Sequence, residues 1–118
     1  MPDVTTHILD LARGCPAQHV KIEMYFLESK TEKRQIVTRA TNDDGRVNEP
    51  LIQDQDFLEG EYEIHYFVGD YLREQGLVNA DPHFLDCVVT RVYLSSNQAH
   101  YHIPLLVSPW GYQVYRGS

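Results

Sequence analysis

The stretch His19-Val20-Lys21-Ile22-Glu23-Met24-Tyr25-Phe26-Leu27 alternates apolar and polar residues without a break until its last position. Successive side chains of an extended chain point to opposite faces, so Val20, Ile22, Met24 and Phe26 share one side and His19, Lys21, Glu23 and Tyr25 the other. A period of two, not 3.6, predicts a half-buried β-strand. The same period recurs on both sides of it. Residues 4–10 read as a preceding strand, set off by the turn residues Arg13-Gly14-Cys15-Pro16. Residues 34–41 follow as a strand, and Asn42-Asp43-Asp44-Gly45 supplies the positive-φ residues of a tight reversal from which Arg46 emerges. A short strand is then expected to end at Pro50, whose nitrogen cannot donate to a ladder.

Further along, residues 60–68 alternate again, with Tyr62, Ile64, Tyr66 and Val68 opposite Glu61, Glu63, His65 and Phe67. The single helical candidate begins at Asp70 as N-cap and stops at Gly76, two turns at most. Residues 85–94, 100–107 and 110–116 complete the strands, the last after a Ser108-Pro109 turn. Seven to eight short strands with one short helix predict an all-β, antiparallel β-sandwich.

Composition narrows the function. A chain of 118 residues is sized for one domain over residues 1–118, and 42% apolar residues supply its core. The net charge of −7, with ten scattered Lys and Arg, repels a phosphate backbone and excludes nucleic acid as the expected partner. No apolar run approaches the about 18 residues of a membrane span, and the first residues lack a signal peptide's basic and apolar regions, so a cytoplasmic protein with no membrane partner is expected. Cys15 and Cys87 stand far apart outside any CxxC spacing and read as reduced, partly buried thiols.

Motifs of specific chemistry are scarce: there is no HExxH, zinc-spaced Cys/His cluster, GxSxG, P-loop or GxGxxG. His100 and His102 are spaced i, i+2 and share a strand face, but two imidazoles without a third ligand make a weak metal site. His7 falls beside Thr5 and Leu9, opposite Val4, Thr6 and Ile8. Taken alone, a strand histidine reads as structural and Arg46 as a solvated turn charge. The alternation persists almost to residue 118, which marks the C-terminal segment as packed rather than free.

That segment, His100-Tyr101-His102-Ile103-Pro104 through Ser108-Pro109-Trp110-Gly111-Tyr112 to Tyr115-Arg116-Gly117-Ser118, closely resembles the signature of the 5-hydroxyisourate hydrolases, the transthyretin-related enzymes of urate breakdown. Thr5-Thr6-His7-Ile8-Leu9-Asp10 and Thr41-Asn42-Asp43-Asp44-Gly45-Arg46 are similar to two further motifs of that family, in the same order, and Gly60-Glu61-Tyr62 and Gly69-Asp70-Tyr71 match its strand and helix boundaries. Trp110 departs from the tyrosine or phenylalanine common there.

The resemblance implies a transthyretin-like sandwich assembled as a homotetramer, with active sites in the channel between dimers. It implies hydrolytic opening of a ring amide of 5-hydroxyisourate to give 2-oxo-4-hydroxy-4-carboxy-5-ureidoimidazoline. His7, Arg46, His102 and Ser118 are implied as catalytic, and Tyr115, Arg116 and Gly117 as substrate-binding, with no metal or cofactor. Those demands suit the residues: one imidazole accepts a proton from water, the other orients it, and a guanidinium holds the oxyanion. Which histidine is the base stays open. The alternative is a non-catalytic small-ligand carrier of transthyretin type, although such carriers lack the terminal tetrapeptide. A structural module in a larger assembly is a third reading.

Overall fold

A computed structural model describes residues 2–117. Eight strands and one α-helix occur among them, in the order β1 (Asp3–Asp10), β2 (Cys15–Pro16), β3 (Lys21–Leu27), β4 (Lys33–Ala40), β5 (Gly60–Tyr66), α1 (Val68–Glu74), β6 (Val88–Leu94), β7 (His100–Ser108) and β8 (Gly111–Val114). They form two four-stranded sheets, β2-β1-β7-β8 and β4-β3-β5-β6. No helix among the described residues is long and apolar enough to cross a membrane.

The sandwich follows from the alternation. Val4, Thr6 and Ile8 of β1 and Tyr101, Ile103, Leu105 and Val107 of β7 point inward from the first sheet, to meet Ile22, Met24, Tyr62, Ile64 and Tyr66 from the second. Fully burying each large aliphatic side chain contributes about 2 kcal/mol. One polar bridge joins the layers: Tyr66 Oη lies 3.1 Å from Thr6 Oγ1, which in turn donates to Ile103 O. Burial pushes the Tyr66 phenol up to about 12, so it stays protonated.

Several local details differ from the expectations. The sheets are antiparallel throughout except for β1 and β7, which pair in parallel from Asp3↔His100 to Asp10↔Val107. The strand expected before Pro50 is absent; residues 45–52 instead touch the free edge of β1 through Ile8 N to Gly45 O and Val4 N to Ile52 O, leaving isolated bridges. β3 starts at Lys21 because His19 adopts φ +62°. Cys15 and Pro16, read as a turn, form the short β2 against Leu9 and Asp10. The helix begins two residues before Asp70, with Phe67 as N-cap, since Gly69 packs where a Cβ would lie 2.1 Å from Asp86 Oδ1. Asp70 sits instead in the first turn and pairs with Arg73.

Asp10 ends β1 fully buried. Its Oδ1 accepts from the Ala12 and Arg13 amides, and its Oδ2 accepts from Tyr71 Oη at 2.7 Å. The last residue of the first motif is thereby fixed to α1.

Candidate active site

The parallel pairing of β1 with β7 decides the site. It sets Asp3 beside His100, Thr5 beside His102 and His7 beside Pro104, all on the face turned away from the core. His102 is held at both ring nitrogens: Nδ1 lies 2.8 Å from Thr5 Oγ1, and Nε2 lies 2.7 Å from His7 Nδ1. The two rings are tilted, with centroids 4.8 Å apart. The i, i+2 histidines expected to share a side do so, His100 stacking over His102 at 6.4 Å.

Arg46 arrives from the reversal after β4. Asn42 Oδ1 accepts from the amides of Asp44 and Arg46, and Asn42 N donates to Arg46 O, which closes the turn around one side chain. Gly45 has φ +72°, and a Cβ there would lie 2.6 Å from Ile8 O. Only glycine lets this turn dock on β1, where Arg46 bridges His7. The guanidinium itself has no hydrogen-bond partner among the described residues.

The C-terminal residues close the third side. Tyr115 N donates to Pro104 O and Gly117 N to His102 O at 2.7 Å. A Cβ on Gly117 would lie 3.0 Å from His102 Cδ2, so the chain passes over the ring because it lacks a side chain there. The resulting cavity of about 470 Å³ is lined by Thr5, His7, Arg46, His100, His102, Pro104, Tyr115 and Gly117. Of the seven residues singled out in the sequence, five thus meet at one place. Arg116 turns away, donating to Gln98 Oε1 and lying over the Tyr101 ring in the neighbouring groove. Ser118 lies outside the described residues. A larger cleft of about 530 Å³ beside β4 is lined by Arg34, Arg39, Asp56, two glutamines and apolar residues, and carries no imidazole.

Burial, with the Arg46 charge in support, holds His7 below the ordinary histidine value. His102 is lowered by burial, by His7 and by Arg46 in that order of strength. Both rings are neutral at neutral pH. Neutral imidazoles beside a fixed guanidinium can take a proton from a nucleophile and hold an anion at the same time.

The family model described as the HIUase/Transthyretin family matches residues 4–117. The chain belongs to that family. Within it, the chain is 46% identical over 118 residues to a 5-hydroxyisourate hydrolase of Pseudomonas aeruginosa, covering all of this chain and 93% of that one. Among solved structures, it superposes with TM-score 0.89 and 36% identity on an (S)-allantoin synthase, covering 99% of this chain but 44% of that longer one. Sea bream transthyretin in complex with thyroxine has the same fold, with TM-score 0.87 and 25% identity, covering 98% and 94% of the two chains. The chain is thus similar both to a 5-hydroxyisourate hydrolase and to a transthyretin solved with thyroxine bound.

The sequence reading began its strand after Asp3 and placed Thr5 beside His7 without giving it a role. Asp3, Thr5 and His7 occupy alternate positions of one strand, so period two already put them on one side. What it could not supply was the partner strand.

Proposed function

We propose that this protein hydrolyses 5-hydroxyisourate to 2-oxo-4-hydroxy-4-carboxy-5-ureidoimidazoline, without metal or organic cofactor, as a single transthyretin-like domain. The observation that carries this reading is the meeting of His7, His102 and Arg46 around one cavity. Water adds to a ring carbonyl while a neutral imidazole takes its proton, and Arg46 stabilises the oxyanion with a rigid pair of donors. The C–N bond then breaks as the imidazolium returns the proton to the departing nitrogen. Tyr115 and Gly117 bind the substrate and Ser118 completes the catalytic set, while Arg116, implied as a substrate-binding residue but turned toward Gln98, holds the C-terminal wall in place. The residue types support this chemistry; a carrier has no use for a hydrogen-bonded pair of neutral imidazoles.

The working form is a cytoplasmic homotetramer. Supporting it, β6 and β8 are the last strands of their sheets, with Tyr93 and Tyr112 exposed on them, and open edges of this kind pair with further copies. The likeness to a thyroxine-bound transthyretin favours one other reading, a carrier without chemistry. Freshly generated 5-hydroxyisourate separates the two: the hydrolase accelerates the loss of its ultraviolet absorbance catalytically, and His102→Asn removes the acceleration. Saturable binding with no turnover above the spontaneous decay would establish the carrier.

A further inference from the structure

The hydrogen bonds of the cavity do not stop at the two central histidines. From His7 Nδ1 the contacts run to His102 Nε2 at 2.7 Å, from His102 Nδ1 to Thr5 Oγ1 at 2.8 Å, from Thr5 Oγ1 to His100 Nε2 at 3.4 Å, and from His100 Nδ1 to Asp3 Oδ1 at 2.5 Å. Five side chains from two parallel strands make one unbranched line. We propose that this line has a single polarity, set by the Asp3 carboxylate, and that Asp3, His100 and Thr5 are positioning residues that leave His7 Nε2 as the unprotonated nitrogen facing the substrate.

The polarity follows from counting donors. An ionised carboxylate only accepts, so His100 carries its proton on Nδ1 and presents a lone pair at Nε2. The Thr5 hydroxyl then donates to His100, and its oxygen accepts from His102 Nδ1–H. His102 Nε2, now bare, accepts from His7 Nδ1–H. A neutral imidazole has one proton, so His7 Nε2 is bare as well. With all three rings neutral, this is the one arrangement in which all four contacts are hydrogen bonds. Reversing every proton places the lone pair of His100 Nδ1 against a carboxylate oxygen at 2.5 Å, two acceptors in contact. Turning only the Thr5 hydroxyl loses its bond to His100. In either case His102 donates to His7, the His7 proton moves to Nε2, and the ring can no longer take one from water. Among the described residues the remaining charge nearby, Arg46, opposes protonation of both rings and does not choose between their nitrogens.

The consequence for rate rests on the hydrolytic reading; the tautomers do not. Long-range 1H–15N spectra of the labelled full chain, taken without substrate, report which nitrogen of each histidine is protonated. His7 and His102 are expected as Nδ1–H forms. Asn at position 3 can donate or accept equally well, so Asp3→Asn admits the reversed line and moves part of His7 to the Nε2–H form. Thr5→Val, which cuts the line at its middle, does the same. In turnover of 5-hydroxyisourate each lowers kcat about tenfold, the value of one charge-assisted hydrogen bond, with KM little changed. Asp3→Glu restores both readouts. Asp3 is partly exposed at the start of β1, so its variants fold. Finding His7 as Nε2–H in the unaltered protein overturns the proposal, as does an unchanged His7 tautomer in Asp3→Asn, whatever happens to kcat. A chain that lacks turnover but shows the expected tautomers would instead overturn the hydrolase and leave the line standing.

Discussion

His7 Nδ1 lies 2.7 Å from His102 Nε2, so the two rings share one hydrogen and cannot both be cations. Each is already held below the ordinary value of 6.5, chiefly by burial. Under the proposed hydrolysis the pair is neutral at rest and accepts one proton during turnover.

The acid limb of the pH–rate profile is therefore expected below pH 6.5. A base must be neutral, and a lowered value keeps it so at more acid pH; at pH 6.5 more than half the maximal rate should remain. Arg46→Gln removes a charge that opposes protonation, and should move the limb upward while lowering kcat. Stability runs with the same sign, falling as pH drops from 6.5 through the folded-state values, because the unfolded chain takes up those protons first. Steady-state rates and thermal unfolding between pH 5 and 8, about the range in which histidine titrates, check both.

Gly45→Ala should injure fold and activity together. The left-handed φ of +72° and the contact with Ile8 O both exclude a Cβ, at a cost of about 2–3 kcal/mol. Because the same turn carries Arg46, kcat should fall further than the folded fraction measured by circular dichroism.

Gly117→Ala separates the C-terminal wall from the core. Its Cβ would press on His102 Cδ2 at 3.0 Å, yet residue 117 lies outside both sheets. Loss of turnover with an unchanged melting temperature is expected; full turnover would show that the ring tolerates displacement.

Glu63 sits on the outer face of β5, buried beneath Lys33, His65 and Arg91 at 2.8–2.9 Å. Hydrogen bonds from Lys33, His65 and Arg91 hold its carboxyl down at about 2, against an ordinary 4.5. Its contribution is fully present above pH 4.5 and is lost as pH falls toward 2. Glu63→Gln should cost about 2 kcal/mol at neutral pH, after allowing for the partly exposed partners, and nothing at the acid end. Urea titrations at several pH values measure the difference.

The elements legible in the sequence were those written in alternation. Val4, Thr6 and Ile8 announced one face of β1 and Thr5, His7 and Leu9 the other, and the Asn42-to-Gly45 reversal announced the turn that carries Arg46. Period two says nothing about which strand lies alongside or in which direction, so the parallel match of β1 to β7 was not readable, nor were the contacts it creates. Asp10 looked like the tail of a strand; its value lies in Tyr71, 61 residues away. Arg116 stood in a motif and was grouped with its neighbours, but alternating backbone sends consecutive side chains to different grooves.

The imidazoles of the candidate site occupy no loop of their own. They stand on the outer side of two strands whose inner side is the core, and the pleat keeps the two inventories apart: replacing Thr5, His7 or His102 changes no residue that packs between the sheets. A scaffold of this kind can exchange its reactive side chains while its folding instructions stay constant, which gives a physical route by which one sandwich came to serve both a hydrolase and a thyroxine-binding relative.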